Sequence, residues 1–236
     1  MKRFYREVAV GEVNGGYVVT LDGRAIKTQG RGVPQAVPTR ALAQMLADEW
    51  ARQGDTIIPS DFPHRALADY AIDQIAPEPE AAIARIMRFA ETDTLCYRAD
   101  PDEPLFRRQV EVWEPVLTRF EQRTGTTFTR ISGIVHRAQP PECLQRLATL
   151  LAAENPTALA GIEAMASLAA SLVVALEATN PDSDPDALWD AATLEEEWQA
   201  ELWGREYTAE ERRARRKAEF LRAREFTLAA RAGLSG

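Results

Sequence analysis

The chain has 236 residues, 45% of them hydrophobic, with 28 basic against 36 acidic side chains and a net charge of −8. At this length folding buries roughly 70–75% of the extended-chain surface, so one large core or two modest ones form without disulfide or metal staples. Two distant cysteines, Cys96 and Cys143, exclude a zinc ribbon, a CxxC redox pair and a disulfide scaffold, and two histidines, His64 and His136, cannot supply a multi-histidine metal site.

Residues 4 to 38 read as β-rich. The runs YVVTL and RAIKT alternate in polarity and are joined by Asp22-Gly23, a pair suited to a two-residue hairpin turn. Thr39 is placed to cap a helix carrying Leu42, Met45, Leu46 and Trp50, which Gly54 stops; Ile57-Ile58 suggests a further strand, and Arg65 to Ile75 a second helix. Pro77 and Pro79 mark a change of pattern. The expected fold is therefore α+β, with a small N-terminal sheet-containing domain over 1–78 and a larger, mainly helical domain over 79–236. In the latter, Ile83, Met87, Ala90 and Thr94 form one predicted face, and Phe106, Val110, Trp113, Leu117 and Phe120 form a second, in a helix that Pro115 should kink. Residues 127 to 135 read as strand, with His136 at its end. Helices follow at 141–154, 157–178, 186–203 and 209–231. The segment 157–178 is apolar on more than one face and predicts the central helix.

The N-terminus lacks the apolar stretch of an export signal, and the longest apolar run, Ala164 to Leu176, is too short to span a bilayer, so neither export nor membrane insertion is expected. No GxxxxGKS/T loop, GxGxxG fingerprint, GxSxG elbow or EF-hand loop occurs. Candidate enzymatic groups are the carboxylates Asp69, Asp73, Glu91 and Asp93, which a small metal-dependent hydrolase would use, and His64 as a general base. Each also fits a structural role. The charge pattern is more telling: eight acidic and no basic residues between Pro181 and Trp203 are followed by nine basic and five acidic from Arg205 to Arg231. A basic helix of this kind can contact phosphates, but adjacent blocks of opposite sign predict mutual neutralisation. If 186–203 is one helix, Ala191, Leu194, Trp198 and Leu202 share an apolar stripe, Glu195 borders it, and Glu196 and Trp203 lie opposite. Glu195 then pairs with an Arg of a neighbouring helix or faces a partner protein.

Several separated stretches carry a resemblance: RFYREV at 3–8, VTLDGRAIKT at 19–28, LADEW at 46–50, ALADYAID at 66–73, ETDTLCYR at 91–98, VWEPVL at 112–117, SLAASLVVALE at 167–177 and LEEEWQAELWG at 194–204. Together they resemble the assembly chaperone family for the alpha subunit of F-type ATP synthase, known from mitochondria and alphaproteobacteria. The resemblance implies a non-enzymatic protein without nucleotide hydrolysis; from the missing export signal and the missing motifs, a bacterial cytoplasmic location and no cofactor or metal are expected. It implies binding of free alpha subunit, shielding of its beta-facing surface, and release when beta takes its place. It also implies that the acidic motif at Glu195, Glu196 and Glu197, with the neighbouring Trp203, belongs to the partner-binding surface. A monomer that binds no nucleic acid is expected.

Overall fold

The computed structural model describes residues 1–133 and 137–233, which form two compact units. The first takes Met1–Ala82, Glu154–Gly161 and the chain from Arg222 onward; the second takes Ile83–Ala153 and Ile162–Leu221. The N-terminal unit thus draws on two later segments as well as the expected first 78 residues.

In the first unit β1 (Val8–Val13), β2 (Gly16–Leu21) and β3 (Arg24–Ala25) form an antiparallel sheet in that order, with Val10 opposite Val19 and Thr20 opposite Ala25. The Asp22-Gly23 turn has positive φ at both residues (49° and 78°), as a tight hairpin turn requires. The Asp22 carboxylate accepts the Glu7 and Arg6 amides at 2.8 and 3.1 Å, and these bonds hold its pKa below the usual value. α1 (Arg40–Ala51) starts at Thr39, whose hydroxyl accepts from Leu42 N and donates to the Ala229 carbonyl. Leu42, Leu46 and Trp50 are buried on its inner face. Glu49 is buried beside them, and its carboxylate accepts the His64 and Arg65 amides at 2.8 and 2.9 Å, neutralising the start of α2 (Pro63–Tyr70). His64, whose Nδ1 lies 2.9 Å from Glu49 and whose ring stacks on Phe226, is a packed core residue. The strand expected at Ile57-Ile58 is absent. Only a single bridge joins Lys2 to Thr56, because Pro59, which has no N–H, turns the chain into a 3-10 turn at Pro59–Asp61. A π-helical turn at Ala71–Ile75 extends α2 and is followed by α3 (Pro79–Glu91). Gly161 explains one close helix approach within this unit: a Cβ there would fall 2.0 Å from Thr227 Oγ1 and 2.9 Å from the Ala223 carbonyl.

The buried face of α3 is Ala82, Ile86 and Ala90, one position round from the predicted Ile83 and Met87. A short 3-10 turn at Thr94–Cys96 leads into β4 (Tyr97–Arg98), which pairs in parallel with β5 (Ile131–Ser132). Of the predicted 127–135 strand only Ile131–Ser132 is strand; residues 127–130 have no regular structure, and Ile134, Val135 and His136 lie outside the described residues. α4 (Pro104–Thr124) runs through Pro115 and ends at Gly125 in the left-handed conformation. Trp113, Leu117 and Phe120 of its predicted stripe are buried, and so is Gln109.

α5 (Pro141–Ala152) and α6 (Pro156–Ala169) follow. The single helix expected at 157–178 is broken after α6, and α7 (Leu172–Ala178) begins anew. Ala170 adopts φ 48°, its carbonyl accepts Thr94 N and Thr94 Oγ1, and Ser171 caps α7. The cause is Asp93: its fully buried carboxylate accepts Ser171 Oγ at 2.7 Å, Val173 N at 2.9 Å and Leu95 N at 3.1 Å. Burial outweighs those bonds and pushes its pKa up to about 6. The chain ends with α8 (Pro185–Ala192), α9 (Leu194–Trp203) and α10 (Tyr207–Arg231). The helix expected at 186–203 is therefore also two, interrupted at Thr193 (φ −102°, ψ 15°), whose hydroxyl donates to the Trp189 carbonyl. Among the described residues no helix is long and apolar enough to cross a membrane.

Candidate functional site

α9 is the helix that the acidic motif builds, and only Leu194 on it is buried. Because α8 and α9 are separate, the apolar stripe drawn through 186–203 does not stay inside. Trp198 is half-buried, whereas Leu202 is 58% exposed and Trp203 80% exposed. Gly204 (φ 95°) ends the helix directly after Trp203, and Tyr207, the first residue of α10, is 75% exposed. Three large apolar side chains within six residues thus face solvent at one helix end.

The three glutamates occupy different environments. Among the described residues Glu195 forms no salt bridge; its carboxylate accepts from Gln109 Nε2 at 2.7 Å. The Arg pairing expected for it is replaced by this amide contact, because Gln109 of α4 is buried between the Ala99 amide, to which it offers Oε1, and α9. Partial desolvation raises the Glu195 pKa, opposed by the Gln109 bond. Glu196 pairs with Arg216 at 2.8 Å and stands 4.0 Å from Arg213. Glu197 is held by Arg205 and Arg213; despite some desolvation, those two arginines lower its pKa. Lys217 contacts Asp186 and Asp190 at 2.8 and 3.4 Å. Arg213, Arg216 and Lys217 of α10 are therefore paired with acidic residues of α8 and α9, in keeping with the adjacent charge blocks.

A cleft of about 620 Å³ lies beside this helix, lined by Val112, Leu194 and Trp198 with Arg108, Glu201 and Arg213 at its polar side. Glu201 has no ion-pair partner among the described residues. Trp113 Nε1 donates to the Ala191 carbonyl at 2.7 Å and holds the end of α8 against α4 below the cleft. Sequence reasoning singled out Glu195, Glu196, Glu197 and Trp203 and placed Leu202 in the apolar stripe, but gave no such role to Glu201 or Tyr207. The available signal was Gly204, which strands the last helical turn in solvent.

The carboxylates of the hydrolase reading do different work. Asp69 accepts Gln35 Nε2 at 2.5 Å and the Gln29 amide at 3.4 Å, and Asp73 accepts the Gly30 and Arg31 amides at 2.9 and 3.2 Å, so both anchor the 29–31 loop. Asp93 is the buried cap of α7, in the other unit from Asp69 and Asp73. No group of three or more His, Cys, Asp or Glu residues among those described could hold a metal ion. Both cysteines are buried and free, and burial raises both thiol pKa values, that of Cys143 to about 11.

The family described as ATP12 chaperone protein matches residues 2–121. The crystal structure of Atp12 from Paracoccus denitrificans superposes with a TM-score of 0.92 at 31% identity, covering 98% of each chain. A crystal structure from Agrobacterium tumefaciens gives a TM-score of 0.90 at 38% identity, covering 97% of this chain and 85% of that one. The mitochondrial protein atp12 of Schizosaccharomyces pombe is 27% identical over 214 residues, which is 86% of this chain and 74% of the relative. The structural similarities cover 97–98% of this chain and so extend through both compact units. The chain belongs to the ATP12 chaperone protein family.

Proposed function

We propose that this chain is a non-enzymatic assembly chaperone of F-type ATP synthase that binds free alpha subunit in the bacterial cytoplasm, through α9, until beta subunit replaces it. The observation that carries the reading is the exposed apolar end of α9, Leu202 and Trp203 with Tyr207 after it, set beside the acidic run Glu195, Glu196 and Glu197. A monomer does not gain from leaving three such side chains in water, and clustered exposed apolar groups mark interaction surfaces. An unassembled ring subunit presents the complementary problem, since obligate interfaces are rich in apolar area. Covering a Trp or Leu side chain on both partners contributes about 1.5–3 kcal/mol each, enough to hold a client and little enough for a large beta interface to displace. The acidic flank adds orientation and keeps chaperone copies apart through their net negative charge.

The test is refolding of purified alpha subunit with the chaperone, followed by light scattering and size-exclusion chromatography. The expected result is suppressed scattering and a complex that dissociates when beta subunit is added. Scattering equal to that of alpha subunit alone would reject the reading.

A further inference from the structure

A second concave site lies in the first unit, remote in sequence from α9. It is a pocket of about 480 Å³ whose floor includes Tyr5, Leu21, Ile26 and Trp50. Tyr5 and Trp50 are each 4% exposed and meet edge to face with ring centroids 5.4 Å apart, and Phe4, 63% exposed, stands at the margin. Three cations complete the wall. Arg24 of β3 and Lys27 just after it are exposed, and Arg65 of α2 lies over the Trp50 ring at 5.0 Å and the Phe62 ring at 5.7 Å.

These cations are not neutralised as those of α10 are. Among the described residues none of the three takes part in a salt bridge. The single carboxylate in the lining, Asp22, accepts the Arg6 and Glu7 amides and acts on Arg24, as Asp69 acts on Arg65, only through its field. An apolar floor and a positive wall together define a receptor for a group that is both anionic and apolar.

We propose that this pocket is a second docking site, for an acidic segment of a client protein, in which carboxylates meet Arg24, Lys27 and Arg65 while a neighbouring aliphatic or aromatic side chain enters against Trp50. The inference rests on the chaperone reading for its choice of a protein as occupant. Charge complementarity supports a segment over a small organic anion. The cations stand on β3, on the chain after it and on α2, and two of them lie at the exposed rim, so neutralising all three takes several carboxylates spaced along a chain. α9 and this pocket would then hold client surfaces of different character, one apolar and one acidic.

The experiment is isothermal titration of the full chain with three blocked peptides: an acidic one that alternates Glu or Asp with Leu and Phe, the same peptide with Lys at every acidic position, and the acidic peptide with Leu and Phe replaced by Ser. The acidic apolar peptide is expected to bind. The Ser peptide should bind about tenfold more weakly and the Lys peptide not at all. Arg24→Glu combined with Lys27→Glu changes only exposed side chains and should weaken the acidic peptide at least about tenfold while leaving the thermal melt unchanged. Equal binding of acidic and basic peptides, or unchanged affinity in the double variant, would overturn the proposal. So would phenylacetate binding as tightly as the peptide. Because the titration contains no alpha subunit, its outcome is separate from the refolding test: peptide binding without protection of alpha subunit sinks the client identity, and protection without peptide binding sinks the pocket.

Discussion

The α9 surface and the Trp50 pocket combine aromatic side chains with charge in opposite ways. At α9 two of the three motif carboxylates are already paired, Glu196 with Arg216 and Glu197 with Arg205 and Arg213, so beside Glu201 what remains open is mainly apolar: Leu202 and Trp203, with Tyr207 at the start of α10. In the pocket the aromatic groups Tyr5 and Trp50 are buried, and what remains open is the charge of Arg24, Lys27 and Arg65. The conspicuous LEEE run is mostly neutralised by arginines, whereas the RAIK segment supplies cations that form no salt bridge among the described residues. A charge block in a sequence therefore locates a surface without saying whether its charge is available. That depends on what the fold lays against it.

The largest effect that could break this comparison comes from the apolar end of α9. Leu202→Ser combined with Trp203→Ser should abolish protection of refolding alpha subunit, since it removes the open apolar area while every ion pair of α9 and α10 stays in place. Stability should change by only about 0.5 kcal/mol, because both side chains are solvent-exposed. The same variant should titrate the acidic apolar peptide as the parent does. Full protection by the double serine variant would place the client elsewhere and return α9 to a solvated face.

A carboxylate with no surface role sharpens the comparison next. Asp93 lies wholly inside, and its folded pKa of about 6 stands above the ordinary 3.8. For an acid shifted upward, the unfolded chain ionises first as pH rises, so the favourable contribution present at low pH is lost between about pH 4 and pH 6. Asp93→Asn removes that dependence, but its amide must point one N–H group at the Val173 amide, leaving that donor unpaired. A loss of about 1–3 kcal/mol is expected below about pH 4, where Asp93 is neutral, and it should shrink as pH rises through 6 because only the parent loses stability there, measured by denaturant unfolding at a series of pH values. An unchanged profile would show that Asp93 is not the group that titrates.

Asp93 also shows which parts of the fold are legible from sequence. The Asp22-Gly23 hairpin and the Thr39 cap follow from chemistry within a few residues, and both stand where the local pattern puts them. The neutralisation of the acidic run by the basic helix is equally local, since the two blocks are neighbours along the chain. The break at Ala170 and Ser171 is not local. It is imposed by a carboxylate about 80 residues earlier in sequence, and nothing in the apolar run SLAASLVVALE announces it. The replacement of an expected arginine by Gln109 beside Glu195 is the same kind of miss: Gln109 sits on α4 at a position that periodicity treats as polar surface, yet it is fully buried. Tertiary partners of single polar groups are what one sequence withholds, and both candidate surfaces depend on them.

The smallest expected effect is at Glu195, where that missed partner decides the outcome. Its carboxylate is partly desolvated and its pKa is raised, with Gln109 Nε2 as the opposing donor. Ionisation is therefore slightly disfavoured by folding, and the contribution to stability present below the unfolded pKa falls away as pH rises through the folded one. Glu195→Gln keeps an acceptor oxygen for Gln109 and removes the charge, so stability at neutral pH should stay within about 0.5 kcal/mol of the parent and the decline on raising pH should be shallower. Glu195→Lys instead sets an ammonium against the Gln109 amide donor, and the Gln109 contact that bridges α4 and α9 is lost. If α9 contacts its client through charge at this position, both variants weaken protection of alpha subunit, Lys more than Gln. If Glu195 serves the fold alone, Gln leaves protection intact and only Lys impairs it, in step with its lower melting temperature. Reading protection and melting temperature on the same two variants therefore separates a binding carboxylate from a structural one.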